Sequence, residues 1–336
     1  MKLCKRIIAA VLMTALLAVC IPAFGAPDYP EVPEGYDGWV TFSVSTIMLG
    51  WQYLVDPMLV PVNEGDTVAV VTDRALTMAC VGFGYTGTIE EGFYLTDIEC
   101  YDTTPDVPEY LMHEMVDVYP AWAEENLGFA YGEWTGSYTD DNMLSAYEYS
   151  TFSGWMYLDN NVSPSDGADE HTVTIGNSYT WIFTVYGWGM DYGINDGWGM
   201  FPAFDNPMEG VSRDAAATAI AQIGVDESIT DEMFDNAIDE IEAFITLFYD
   251  PTASQEELDD ALAALIAALY GAGEFEPGDV NMDGEVGADD ALLIMRHTMG
   301  ISQLDEDALA LADVNGDGEV TMEDALVVLR ASMGIQ

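Results

Sequence analysis

Asp279-Val280-Asn281-Met282-Asp283-Gly284 and, 34 residues later, Asp313-Val314-Asn315-Gly316-Asp317-Gly318 write one loop twice. Each opens a twelve-residue frame, closed by Asp290 in the first and by Asp324 in the second. Ca²⁺ is a hard cation that takes 6–8 oxygens, so a short loop must present oxygen at positions 1, 3, 5, 7 and 12. Asp279, Asn281, Asp283, the carbonyl of Glu285 and Asp290 supply that set in the first loop; Asp313, Asn315, Asp317, the carbonyl of Glu319 and Asp324 supply it in the second. Gly284 and Gly318 fall at position 6, where the backbone turns too sharply for a side chain. Two bound Ca²⁺ ions are expected. Asp in place of Glu at position 12 shortens the reach of the last ligand.

A helix should follow each loop. Leu292, Met295 and Met299 recur at helical spacing, as do Leu326, Leu329 and Met333, giving each helix one apolar stripe. Gly300 and Gly334 are expected stops. Units this small can bury their stripes only against each other. Residues 277–336 resemble the type I dockerins, calcium-dependent plugs that attach secreted proteins to the cohesin modules of a cellulosome or surface scaffold. The resemblance implies a paired, EF-hand-like all-α domain. It places partner contacts at Ala288, Asp289 and Arg296 in one half and at Met322, Glu323 and Arg330 in the other. Many clostridial members carry a Ser-Thr type pair where this chain has Ala288-Asp289 and Met322-Glu323.

Lys2, Lys5 and Arg6 precede an apolar run from Ile7 to about Val19, and Ala23-Phe24-Gly25 offers small residues at a cleavage point. The pattern reads as a signal peptide over 1–25, with secretion and no membrane anchor after cleavage. Beyond it four cations face 60 acids, a net of −56, and no lysine is left. Such a field repels nucleic acid and anionic membranes and attracts calcium. With half of the residues hydrophobic, the chain reads as folded protein under an acidic skin.

Cys80 and Cys100 are the cysteines outside the leader, and an extracellular pair 20 apart suggests a disulfide. The histidines His113, His171 and His297 are dispersed, without zinc-ligand spacing.

Residues 27–205 read as an α+β domain. Val40, Phe42 and Val44 alternate with Thr41, Ser43 and Ser45, and Tyr179, Trp181, Phe183 and Val185 with Thr180, Ile182 and Thr184, as in half-buried strands. Asp66 is a candidate cap for a helix carrying Val68, Val71, Ala75 and Met78, and Leu111, Met115 and Val118 suggest another helix. The stretch Ser153-Gly154-Trp155-Met156-Tyr157-Leu158-Asp159-Asn160-Asn161-Val162, with Tyr179 to Val185, resembles a domain of Gram-positive surface proteins related to the C-terminal β-domain of transcobalamin. That resemblance implies a β-grasp-like fold, with Asp159 where relatives favour Val and Asn161 where they favour Gly. Tyr186, Trp188, Tyr192 and Trp198 among glycines suggest an aromatic surface for a sugar, so Trp155, Trp188 and Trp198 are candidate ligand residues and polysaccharide a candidate partner.

Residues 210–272 read as a three-helix spacer. Phe234, Ile238, Ile241, Ile245 and Phe248 share one helical face, Ser254 and Glu257 form a capping box, and Leu258, Leu262, Leu265 and Leu269 follow it. A helix around 213–223 would complete the bundle. Ala253 to Leu265 resembles the FIVAR helical repeat of surface proteins.

Two function classes compete. One is a non-catalytic binding module carried on a dockerin; the other is a polysaccharide-degrading enzyme or an auxiliary component of such an enzyme. No GxSxG, HExxH or defensible Ser-His-Asp order occurs, which favours the first.

Overall fold

The structure, a computed structural model, describes residues 29–102, 104–128, 134–139, 141–195, 200–270, 277–281, 286–299, 304, 306–316, 318 and 320–332. The leader expected over 1–25 lies outside them. The described chain divides into two compact units, residues 29–228 with 241–261, and 229–240 with 262–332.

In chain order the first unit contains β1 (Gly38–Ser45), β2 (Val55–Val62), α1 (Val68–Ala79), β3 (Phe83–Thr86), β4 (Tyr94–Glu99), α2 (Glu109–His113), α3 (Tyr119–Asn126), β5 (Met143–Ser145), β6 (Gly154–Asp159), β7 (Ser178–Thr184) and α4 (Asp214–Ile223). The main sheet has the order β2-β1-β7-β6, with a parallel central pair and antiparallel outer pairs. Pro57 and Pro61 are tolerated in β2 because it is an edge strand with one row of backbone donors unused. A smaller antiparallel sheet runs β3-β4-β5.

The main sheet is covered on both faces. Val40, Phe42 and Val44 join Tyr179, Trp181 and Phe183 in the core, where Trp181 Nε1 donates to Thr72 Oγ1 of α1 at 2.8 Å. The opposite, polar row was expected to face solvent. Instead Thr41, Ser43, Ser45 and Thr180 are buried beneath α4. Their hydroxyls pair with one another: Ser43 with Thr180 at 2.9 Å, and Thr41 donating to Thr218 of α4 at 3.0 Å. The helix expected to open the spacer thus packs on the sheet. Its run Ala-Ala-Ala-Thr-Ala-Ile-Ala-Gln-Ile, buried from Ala215 to Ile223, has small side chains on all sides and lies flat against strands.

Other boundaries also shift. Thr67, not Asp66, caps α1, accepting from Val70 N; Asp66 instead accepts from Asn63 N and from Arg74. Between α2 and α3 the segment Glu114–Val118 is π-helical. Its wider turn aligns Leu111, Met115, Tyr119 and Ala123 inward, so Tyr119 takes the place expected for Val118.

The single helix expected through Phe234 to Phe248 is two, α5 (Asp231–Asn236) and α6 (Ile238–Tyr249), broken at Ala237. Ile241, Phe244 and Phe248 form the buried face of α6. In α7 (Gln255–Tyr270) the capping box is present: Ser254 N donates to Glu257 Oε2 at 2.9 Å, and Glu257 N donates to Ser254 Oγ at 3.3 Å. Leu258, Leu262, Leu265 and Leu269 are all buried. At the C-terminal end α8 (Ala288–Thr298), α9 (Glu306–Ala312) and α10 (Met322–Ser332) share a small core of Val280, Ala291, Ile294, Ala308, Ala312, Ala325 and Val328.

Candidate functional site: the paired loops and their outer helix faces

Each position-12 aspartate sits at the first turn of its helix and has no exposed surface. Asp290 Oδ1 accepts from Val280 N and Asn281 N, both at 2.8 Å, and Oδ2 accepts from Gly287 N at 2.7 Å. Asp324 repeats this, accepting from Asn315 N at 3.3 Å and Thr321 N at 2.9 Å. One carboxylate therefore staples the start of each loop to its end. Asp279 is buried beside the first staple. Asp313 turns the second loop, its two oxygens accepting from Gly316 N and Gly318 N at 2.8 Å each. Both glycines have left-handed backbone, φ 72° and 88°, which a side chain would strain.

Asp283, Glu285, Asp317 and Glu319 lie outside the described residues. Among those described, no three His, Cys, Asp or Glu side chains converge as a metal group. The part that is described fits calcium: the donors are oxygen, and Asp279 and Asp290 are carboxylates buried in one short loop. Buried charges are ordinarily paired or metal-bound. Burial pushes the Asp290 carboxyl above its usual range, against the pull of its backbone donors.

The apolar stripes are displaced by one residue from expectation. Ala291 with Ile294, and Ala325 with Val328, form the contact between α8 and α10. Alanine lets the helices approach closely, and Leu292, Met299, Met322, Leu326 and Val327 face outward. Ala288, Asp289, Arg296, Glu323 and Arg330 are exposed as well. The other two arginines are used internally. Arg74 pairs with Asp66 at 2.8 Å and lies over the Tyr36 ring. Arg213 is buried, donating from Nε to Phe248 O at 3.0 Å and from Nη2 to Asp250 O at 2.5 Å.

Trp155 and Trp188 pack against different rings. Trp188 adopts φ 51° and packs edge-on against Phe152 and Phe201, at 5.0 and 5.5 Å between ring centres. Trp188 is half-buried, Tyr186 and Tyr192 are buried, and Trp198 lies outside the described residues. Their loop is anchored by Asp191, fully buried, whose oxygens accept from Thr184 Oγ1 at 2.6 Å and Val185 N at 2.7 Å. Burial raises the Asp191 carboxyl to about 7. Trp155 is only 6 % exposed, and its Nε1 donates to Leu144 O at 3.0 Å. It lines a cavity of about 210 Å³ with Tyr157 and Trp181.

The expected disulfide is not formed. Cys80 is an exposed thiol at the left-handed end of α1, and Cys100 is a buried thiol whose Sγ points to Asp102 O at 3.6 Å. Burial pushes the Cys100 thiol up to about 11. Sequence reasoning also missed the His171 bridge: Nε2 meets Asp159 at 2.9 Å and Nδ1 meets Asp166 at 3.1 Å. The departure noted at Asp159 was its signal, since this carboxylate also accepts from Asn177 Nδ2 and Tyr179 OH.

Residues 277–331 match the family model for the dockerin type I domain. No curated protein and no solved structure matches the chain. The C-terminal segment is thus similar to the type I dockerins, modules known to bind calcium, and a dockerin implies docking to a cohesin, as in cellulosome assembly. Among the described residues no helix is long and apolar enough to cross a membrane.

Proposed function

We propose that this is a secreted protein which docks onto a cohesin-bearing scaffold through two calcium-clasped loops, with the sheet domain and the helix α4 packed on it as a non-catalytic binding domain. The observation behind the docking reading is that Leu292, Met299, Met322, Leu326 and Val327 of α8 and α10 and the residue after α8 are exposed, as are Arg296 and Arg330. Leucine and methionine are left on that surface while alanine is placed inside, an arrangement suited to a partner that buries them. The ligand sets are Asp279, Asn281, Asp283, Glu285 and Asp290 for one ion, and Asp313, Asn315, Asp317, Glu319 and Asp324 for the other. The β-grasp-like reading of the upper domain is supported by the sheet order, its parallel central pair and the helix that follows β2.

Pull-down on immobilised cohesins with and without EDTA tests this reading. Calcium-dependent capture is expected, and the pair Arg296→Glu and Arg330→Glu should weaken it by roughly tenfold or more without lowering stability. Capture that survives EDTA, or is indifferent to both charge reversals, rejects the assigned ions or the assigned face. Release of reducing sugar from xylan or cellulose by the intact protein would favour the enzyme reading.

A further inference from the structure

The cavity beside Trp155 lies between β4 and β6 and belongs to neither the paired loops nor the glycine-rich aromatic loop. Phe93, Tyr94, Trp155, Tyr157 and Trp181 line it together with Leu95, Met156 and the segment Ser163–Ala168. Trp181 stands 5.5 Å from Tyr157 with 50° between planes, and 6.4 Å from Phe93 with 58°. Trp155 and Tyr157 project from the same side of β6, and Tyr94, 49 % exposed, stands at the mouth. A sugar stacks on one flat open face, whereas here five rings mutually inclined or offset border a small volume. A cation is attracted to such faces, and organic ammonium groups are the ligands that aromatic enclosures of this kind hold.

Charge points the same way. From Ala75 to Ser212 the chain contains no lysine or arginine. Acids lie near one lining ring though none lines the cavity itself: Asp169 accepts from Gly92 N at 2.7 Å next to Phe93, and Asp159, Asp166 and Asp169 all act electrostatically on Tyr157. His171, 5.8 Å from the Tyr157 ring, is the nearby basic group, and it is already bridged to Asp159 and Asp166. An anion would meet this field unfavourably, a neutral ligand would gain nothing from it, and a cation would be drawn in.

We infer that the cavity between β4 and β6 binds the head group of an organic ammonium, a quaternary or methylated amine, enclosed by Phe93, Tyr157 and Trp181 with Tyr94 at its entrance. This deepens the reading of the upper domain as a binding module and rests on it; docking is independent. The test is calorimetric titration of the mature full-length protein in calcium with choline and with tetramethylammonium. The neutral isostere 3,3-dimethylbutanol and xylo- and cello-oligosaccharides are titrated in parallel. Saturable one-to-one binding of both cations is expected, with the isostere roughly tenfold weaker or more and with affinity falling as salt rises. Tyr94→Ala, a change at an exposed ring, should weaken choline several-fold at unchanged melting temperature. Equal binding of the isostere would make this a plain apolar cavity, oligosaccharide binding without choline would make it a glycan site, and silence from every probe would remove the site. Cohesin capture by the same samples separates each of these failures from failure of the docking reading.

Discussion

Arginine 213 shows how much one side chain can decide in so acidic a chain. Its guanidinium is buried at the C-terminal end of α6 and donates to the carbonyls of Phe248 and Asp250. Cations at a helix C-terminus satisfy carbonyls that have no partner within the helix. Arg213→Met would keep much of the volume and leave those carbonyls dry, a loss of about 3 kcal/mol by the usual cost of unmade charged hydrogen bonds. Urea unfolding should show it in the first unit, with cohesin capture unchanged. At the opposite end, Asp324→Ala should abolish one calcium site in a titration and leave the first loop's site measurable. The closing role of Asp290 and Asp324 was legible because spacing within one loop is a one-dimensional property. Arg213 and Asp191 were not, because their partners lie at distances in the chain that no local period encodes.

Among the elements, the buried hydroxyl layer between the main sheet and α4 carries the sharpest expectation. Thr218→Val would take away the acceptor of the Thr41 hydroxyl and cost about 1–2 kcal/mol, whereas adding Thr41→Val should return most of it. Equal additive losses in that double-mutant cycle would show that the two hydroxyls do not act as a pair. The strands themselves could be read from their alternation. Their second covered face could not, because threonine and serine on an outward row look alike whether water or an alanine-rich helix lies above them. The same ambiguity displaced the dockerin stripe: Ala291 and Leu292 both fit a helical period, and only the close approach of α8 to α10 chooses the smaller residue for the inside. The π-helical turn at Glu114–Val118 likewise moved the inward position from Val118 to Tyr119.

For the whole molecule, acidity should act on the two ends with opposite sign. Burial raises Asp56 and Asp214 to about 6 and Asp191 to about 7, and His171 is also raised, its bonds to Asp159 and Asp166 outweighing the effect of burial. Each of these groups holds its proton more tightly folded than unfolded. The stability they contribute is therefore largest below the unfolded values, about 4 for the acids, and is lost as pH rises through 6 and 7. With calcium bound as proposed, the C-terminal loops run the other way, since carboxylates must be ionised to hold it. Scanning calorimetry in calcium should show one transition moving up and another moving down between pH 8 and pH 5, with EDTA removing only the second. Two transitions moving in parallel would contradict this assignment. The thiols supply a practical corollary. Once residues 1–25 are removed as proposed, taking Cys4, Cys20 and both lysines with them, Cys100 is sealed inside and Cys80 is exposed at the end of α1, so a maleimide dye or resin would graft at a single address. Immobilised in that manner, every copy would hang from its support by the same atom.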